Sequence, residues 1–277
     1  MYREDFLDYP DRSRTRFRIN KNTSRQNIVL IHGIGESLEL YEYMFPYFDR
    51  AGMSLHAIEL AGHGASSGIP AHIDSCESYL RDLKRFIYGN LRNTPVYCIG
   101  HDIGALTAMR LAEDPRFHVE GLVLTSPVMS LKLDFFLRTG IVLLAKLMPE
   151  HRISPGNALM ANITHVDETA QAVSHNLSKG GGGITAGLIH AVLREQKYLS
   201  PGAEALRAIK TLLILGEEDI IIDTQKVISY YQTLFNGTDN LKVIQCKNCF
   251  HAVLLEKNRL NFIENIIKWI QTRGSEI

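Results

Sequence analysis

The sequence lacks several features that would assign it to a specialised class of protein. Its 277 residues include one tryptophan and four cysteines, and 30 basic residues balance 30 acidic ones. No apolar run approaches the roughly 18 residues of a membrane span. No local tract of lysine or arginine offers a surface for nucleic acid. We therefore expect no nucleic-acid partner and no stable insertion into a membrane.

The cysteines are too few and too unevenly spaced for a disulfide-rich or zinc-binding domain. Cys246 and Cys249 form a Cys-x-x-Cys pair without a second pair at zinc-finger spacing. A redox-active pair is an alternative, but reduced thiols, as in an ordinary cytosolic protein, are favoured. Residues 1–6 are too charged for a signal peptide. These features predict a cytoplasmic protein that uses no metal and no other cofactor.

Short apolar runs alternate with helical patterns over most of the chain. Such runs are typical of strands covered on both faces, and the alternation predicts a mostly parallel central sheet flanked by helices. Residues 1–26 are polar, and we expect them to be irregular with at most an edge strand around 17–19. The clearest apolar runs lie at 27–31, 54–59, 96–99, 121–125, 211–215 and 241–245.

A different pattern interrupts this alternation between 129 and 208. The stretch is typical of helices without clear strands, and its first part, 131–148, is unusually apolar. Packing on the main domain is the favoured explanation, and lining a lipophilic pocket or touching a lipid surface is the alternative. We predict a core formed by 1–128 and 209–277, with 129–208 inserted as a helical lid.

The sequence Gly100-His101-Asp102-Ile103-Gly104 follows a predicted buried strand and leads into a run of strong helix formers. Glycines on both sides of a central residue let a strand and a helix pass close together, which is typical of a nucleophile elbow. The usual central residue is serine, but here it is Asp102. The pattern therefore predicts a familiar geometry with altered chemistry.

Two more residues complete a predicted catalytic constellation. Asp219 and His251 each come shortly after a predicted strand, and the carboxyl ends of parallel strands meet at one edge of a sheet. His251 would act as base, while Asp219 would fix its tautomer and stabilise the imidazolium. Asp223 is an alternative acid, although its position suits a helix cap.

The sequence resembles the α/β-hydrolase superfamily over nearly its whole length, and in detail the monoacylglycerol lipase and lysophospholipase group. The segments that carry the resemblance are His32-Gly33-Ile34-Gly35-Glu36, 61–68, 72–74, 216–219 and 251–256. It implies an α/β-hydrolase fold with an inserted lid and an oxyanion hole formed by the N–H groups of Ile34 and Ile103. In that group serine occupies the place of Asp102. The elbow resembles instead the epoxide hydrolases and haloalkane dehalogenases, which use an aspartate nucleophile.

The chemistry of a carboxylate bears on these two resemblances. Asp102 is ionised at neutral pH and needs no base to attack. Attack on an ester carbonyl would have to expel a basic alkoxide in preference to a carboxylate, so the intermediate should collapse backwards. Attack on a saturated carbon of an epoxide or halide gives a stable alkyl ester, which His251 can hydrolyse through a water molecule. A halide site is the weaker choice. A halide leaving group needs a donor such as a tryptophan N–H beside the nucleophile, but that position holds Ile103. The single tryptophan, Trp269, lies in the predicted terminal helix.

An epoxide needs an acid for the opening oxygen. Tyr198 is the candidate in the lid, with His190 on the same predicted helix. Tyr41 and Tyr43, which follow the loop 32–37 that contains Ile34, are alternatives. His32, His63 and His101 are expected to support loops rather than react.

The favoured hypothesis is hydrolysis of a small lipophilic substrate through a covalent intermediate on Asp102, at a saturated carbon of the epoxide type. One alternative is a carboxylic-ester hydrolase similar to monoacylglycerol lipases or lysophospholipases. The other is a catalytically silent α/β-hydrolase homologue that binds a ligand.

Overall fold

The structure is a computed structural model that describes residues 2–20, 26–179, 181–198 and 203–274. Within these ranges the strands are β1 (Tyr2–Asp8), β2 (Arg14–Asn20), β3 (Asn27–Ile31), β4 (Ser54–Ile58), β5 (Val96–His101), β6 (Val119–Thr125), β7 (Arg152–Ile153), β8 (Ile184–Thr185), β9 (Lys210–Gly216) and β10 (Leu241–Cys246). The α-helices are α1 (Phe45–Arg50), α2 (Glu77–Asn90), α3 (Ile103–Ala112), α4 (Phe135–Leu147), α5 (Asn157–Ala161), α6 (Asp167–Ser178), α7 (Ala186–Tyr198), α8 (Thr224–Leu234) and α9 (Arg259–Gln271). Short 3₁₀ helices lie at Leu38–Met44, Ala203–Ala208 and Val253–Leu255.

Eight strands form one twisted sheet in the order β1-β2-β4-β3-β5-β6-β9-β10. The six strands from β4 to β10 in this order are parallel, and β2 runs antiparallel to both β1 and β4. Helices connect the parallel strands, which confirms the mostly parallel sheet with flanking helices. The apolar strands β3, β4 and β5 lie side by side at its centre, where they are almost wholly buried.

The expectation of an irregular amino-terminal segment is wrong. Strands β1 and β2 pair over their whole length and extend the sheet at one edge. Arg16 and Arg18 lie on β2 and are buried although they are charged, because Arg16 contacts Glu59 at 2.7 Å and Arg18 contacts Glu4 at 2.9 Å. Ion pairs with carboxylates on other segments therefore accompany the burial of a strand that is too polar to be recognised locally.

The segment 129–208 contributes no strand to the main sheet within its described part. It contains α4, α5, α6 and α7, and α4 packs against α7. The expectation of no strands there is wrong in one detail, because β7 and β8 form a small antiparallel pair. The Arg152 side chain fixes this pair by donating to the carbonyl oxygens of Gly183 (3.0 Å) and Pro70 (2.9 Å). The division of the chain into core and lid remains a prediction.

Helix α4 presents apolar side chains to solvent. Phe135, Phe136 and Leu147 are 75%, 84% and 73% exposed, respectively. Asp134 caps the start of the helix, and its carboxylate accepts the N–H of Leu137 at 2.8 Å. Over the described ranges, no helix combines the length and apolar character that crossing a bilayer requires.

Candidate active site

The turn between β5 and α3 has the geometry of a nucleophile elbow. Asp102 occupies this turn with φ 55° and ψ −117°, a backbone conformation that residues other than glycine rarely adopt. A Cβ atom at Gly104 would lie 2.2 Å from the carbonyl oxygen of Ile31, and one at Gly100 would lie 2.6 Å from Cα of Ala105. The glycines are therefore required for β5 and α3 to approach, and their packing holds Asp102 in its strained conformation.

The Asp102 carboxylate lies between a backbone amide and an imidazole. Its Oδ2 accepts the N–H of Ile34 at 2.8 Å, one of the two amides expected to form an oxyanion hole. Its Oδ1 lies 3.9 Å from Nε2 of His251. Neither Oδ1 of Asp102 nor Nε2 of His251 has a hydrogen-bond partner within the described part of the chain. The distance is too long for a direct hydrogen bond but suits a bridging water molecule or a reacting group.

His251 is held by Asp219, as the order of the residues along the chain predicted. The Asp219 Oδ2 lies 2.7 Å from Nδ1 of His251, and its Oδ1 accepts the N–H groups of Ile221 (2.8 Å) and Ile222 (3.1 Å). Burial alone would raise the pKa of Asp219, but the charge of His251 and these hydrogen bonds lower it below its ordinary value. Asp219 is therefore an ionised partner that fixes the imidazole.

Two carboxylates control the protonation of His251. Burial by itself lowers the pKa of this imidazole, but the nearby charges of Asp219 and Asp102 and the hydrogen bond to Asp219 outweigh burial and raise the pKa to about 10. At neutral pH the resting site thus contains an imidazolium flanked by two carboxylates. If Asp102 became a neutral ester, one of these charges would be lost and the imidazole would release its proton more easily.

Asp223 does not compete with Asp219 for this role. Its carboxylate caps α8 by accepting the N–H of Lys226 at 3.2 Å, and it also contacts the Lys226 ammonium at 3.0 Å. The alternative assignment of the acid to Asp223 is therefore wrong, because the side chain is committed to the first turn of its own helix.

Asp102 and His251 line an apolar cavity of about 290 Å³. Asp102, His251, His101, Glu36 and Ile34 line its polar end. Most of the remaining lining is aliphatic and comes largely from the segment 129–208, including Leu137, Ile141, Met160, Leu177, Ile189 and Val192. A cavity of this size and lining can hold a small lipophilic molecule with one reacting carbon against Asp102.

Of the candidates for substrate contact, Tyr41, Tyr43 and His190 do not line this cavity. The Tyr41 side chain is wholly buried elsewhere, and its hydroxyl donates to Oε2 of Glu36 at 2.7 Å. Burial raises the pKa of this hydroxyl well above its ordinary value, so it is also a poor acid. His190 is half-buried on α7, where Ile189 and Val192 rather than His190 face the cavity. The side chain of Tyr198 lies outside the described residues.

Sequence reasoning missed Glu36 as a residue of the site. Glu36 is the last residue of His32-Gly33-Ile34-Gly35-Glu36, and it lines the same cavity as Asp102. A glutamate that follows a Gly-rich loop at the carboxyl end of β3 is the signal that could have identified it.

The histidines expected to support loops do contact the backbone. The N–H at Nδ1 of His32 donates to the carbonyl oxygen of Gly33 at 2.7 Å, while Nε2 accepts the N–H of Leu60 at 3.0 Å. His63 contacts the carbonyl oxygen of Ala61 at 3.0 Å.

The cysteines near His251 differ from the sequence-based expectation. Cys246 and Cys249 are joined as a disulfide, so the expectation of reduced thiols is wrong. The turn through Asn248 brings their Cα atoms to 5.5 Å, an ordinary distance for a disulfide. Across the described ranges, no group of three histidine, cysteine or acidic side chains is arranged to hold a metal ion.

Comparison with known proteins relates the chain to lipases and esterases. A family model described as serine aminopeptidase, S33, matches residues 22–258. An uncharacterized abhydrolase domain-containing protein of Dictyostelium discoideum is 26% identical over 89% of the chain, which spans only 26% of that protein. Phospholipase YtpA of Bacillus subtilis is 22% identical over 84% of the chain and 90% of the relative. A soluble variant of Saccharomyces cerevisiae monoglyceride lipase superposes with a TM-score of 0.80 at 16% identity, covering 97% and 94% of the two chains. These matches confirm the α/β-hydrolase fold.

Proposed function

The chain belongs to the serine aminopeptidase S33 family of α/β hydrolases and resembles monoacylglycerol lipases, and from this premise we propose that it hydrolyses a small lipophilic substrate through an ester formed on Asp102. A strained cyclic ether, an epoxide, is the favoured substrate class. The family is named for serine enzymes, whereas this elbow carries an aspartate. An esterase-like or lipase-like scaffold thus carries a carboxylate in place of the nucleophilic hydroxyl.

The observation that carries the proposal is the 2.8 Å hydrogen bond from the Ile34 N–H to Oδ2 of Asp102. In an ester hydrolysis, this amide must receive the carbonyl oxygen of the substrate, but here the enzyme's own carboxylate already holds it. In hydrolysis of an Asp102 ester, negative charge develops on an oxygen of Asp102 itself. A donor aimed at that oxygen therefore supports the second chemistry rather than the first.

The first step forms a bond between Oδ1 of Asp102 and a saturated carbon of the epoxide. The carbon–oxygen bond of the ring breaks, and its electron pair goes to the departing oxygen. The His251 imidazolium supplies the proton to that oxygen, because its raised pKa keeps it charged at neutral pH. The result is a neutral alkyl ester on Asp102 and a neutral imidazole.

The second step uses the imidazole as a base. His251 takes a proton from a water molecule, and the hydroxide attacks Cγ of Asp102, while the Ile34 N–H stabilises the oxyanion. When the intermediate collapses, the alcohol leaves with a proton from His251. Proton transfer from Asp102 to His251 then restores the resting pair and completes the addition of water to form a diol.

Hydrolysis of carboxylic esters is a second candidate, favoured by the relatives that are named as phospholipase and monoglyceride lipase and by the apolar cavity. In that case Asp102 would be a divergent replacement on an esterase scaffold. The substitution Asp102→Ser distinguishes the two, because it should create or strongly increase esterase activity only if the rest of the site remains suited to esters.

Multiple turnovers in heavy-oxygen water test the main proposal. Wild-type protein acting on an epoxide panel should acquire the label in the Asp102 carboxylate, detected by mass analysis of the peptide that contains it. An active enzyme that carries no label at Asp102 would refute the ester intermediate. Asp102→Ala provides the matched control, because it retains the cavity and should neither turn over nor become labelled.

A further inference from the structure

A second, smaller cavity of about 50 Å³ is lined in part by Gly35 and Glu36, which directly follow Ile34 in the chain. Its lining is more polar than that of the main cavity and includes His63, Ser66, Asn176 and Lys179. Glu36 and Leu177 line both cavities, so these two side chains form the wall between them. A small polar molecule held by Glu36 could therefore reach the main cavity from the small one without crossing the aliphatic lining of the main cavity.

Glu36 has one oxygen that is fully used and one that is not. The residue is 1% exposed, and its Oε2 accepts the N–H of Gly33 at 2.6 Å and the hydroxyl of Tyr41 at 2.7 Å. Its Oε1 is buried and has no hydrogen-bond partner within the described ranges. Burying a carboxylate oxygen without a hydrogen-bond donor costs free energy, so we expect this atom to accept a hydrogen bond from a bound molecule.

His101 also faces Oε1 of Glu36. Its Nδ1 lies 3.1 Å from the carbonyl oxygen of Thr125, and because a carbonyl can only accept, Nδ1 carries a proton. Its Nε2 lies 3.5 Å from Oε1 of Glu36, which is long for a direct hydrogen bond. A donor that binds Oε1 would therefore lie beside the His101 ring.

His63 adds a second acceptor to the small cavity. Its Nδ1 donates to the carbonyl oxygen of Ala61, and burial lowers the pKa of the ring to about 4, which keeps it neutral. Its buried Nε2 therefore accepts, and it too has no partner within the described ranges. Water donates two hydrogens and needs only about 10–15 Å³ of such space, so the small cavity can hold more than one molecule.

We propose that the small cavity supplies the hydrolytic water and that Glu36 positions this water for attack on the Asp102 ester. The inference rests on the proposed function, since it assigns a residue to the second step of that reaction. Glu36 accepts one hydrogen of the water through Oε1, leaving the other for His251 to remove. The apolar substrate can then fill the main cavity while water reaches the ester from the opposite side.

The substitution Glu36→Gln tests this role with little change of shape. The amide oxygen can still accept from Gly33 and Tyr41, but an NH₂ group replaces the acceptor Oε1. We expect formation of the Asp102 ester, followed by rapid-quench mass analysis, to stay within about twofold of wild type. Hydrolysis of the ester should slow by at least about tenfold, so that the adduct accumulates during turnover.

Two further variants keep the test independent of folding. His63→Leu removes the other acceptor of the small cavity and should slow hydrolysis in the same direction without slowing ester formation. Glu42→Gln is the matched control, because Glu42 lies in the same segment but pairs with Arg18 outside both cavities. This control should accumulate no adduct.

The outcomes separate this inference from the proposed function. If wild type labels Asp102 but Glu36→Gln and His63→Leu hydrolyse the ester at the wild-type rate, the assignment of the water is overturned and the ester mechanism stands. Equal losses in ester formation and hydrolysis would also overturn it, because a merely structural role affects both steps. If wild type turns over without labelling Asp102, the proposed function itself fails.

Discussion

The substitution Asp219→Asn should remove a pH-dependent part of the stability that His251 provides. The variant keeps the size of the side chain and an oxygen that can accept from Ile221 and Ile222. It loses the negative charge that, after burial, has the largest influence on the pKa of His251. The NH₂ group would also face Nδ1 of the ring, which favours the wrong tautomer for catalysis.

The magnitude follows from proton linkage. His251 has a pKa of about 10 in the folded protein against an ordinary 6.5, and each pH unit corresponds to about 1.36 kcal/mol, so the raised pKa contributes roughly 5 kcal/mol. Because the folded pKa is the higher one, this contribution is complete below about pH 6.5 and is lost as the pH rises to about 10. In the variant, Asp102 still raises the pKa of His251. We therefore expect the variant to lose more than about 2 kcal/mol of this contribution to the free energy of unfolding.

Urea unfolding of wild type and variant between pH 6 and pH 10 measures this loss. The destabilisation caused by Asp219→Asn should be largest near pH 6 and should shrink steadily towards pH 10. Asp223→Asn is the control, because Asp223 caps α8 and pairs with Lys226, so its effect should not vary over this range. A destabilisation by Asp219→Asn that is the same at pH 6 and pH 10 would refute the assignment of His251 as a charged partner of Asp219.

Two other predictions concern the trapped intermediate and the elbow. His251→Gln should still form the Asp102 ester but not hydrolyse it, so the peptide with Asp102 should gain the mass of the substrate; an unmodified peptide after exposure to a good substrate would contradict this. Gly104→Ala should destabilise the protein by more than about 2 kcal/mol in urea unfolding, because its Cβ would lie 2.2 Å from the carbonyl oxygen of Ile31. Gly140→Ala in α4 meets nothing within 4 Å and should be neutral or stabilising, and equal effects of the two substitutions would be inconsistent with the described packing.

The sequence determined the architecture where local signals and tertiary structure agree. Continuous apolar runs predicted the central strands because a strand buried on both faces has no polar position to interrupt it. The glycines around Asp102 predicted the elbow because no larger side chain fits between β5 and α3. Local signals failed at β2, where Arg16 and Arg18 are stabilised by carboxylates from other segments, so the strand has no apolar pattern of its own.

The candidate site divides in the same way. The order of Asp102, Asp219 and His251, each after a strand, was sufficient to predict that they lie together, because parallel strands end at one edge of the sheet. Only the tertiary structure determined that the Ile34 N–H binds the Asp102 carboxylate, that Tyr41 binds Glu36 without lining the cavity and that Glu36 does line it. These contacts depend on atoms brought together by loop packing, whose direction the residue pattern does not encode. The sequence thus specified which chemical groups meet, and the packing of the loops decided which of their atoms are available to react.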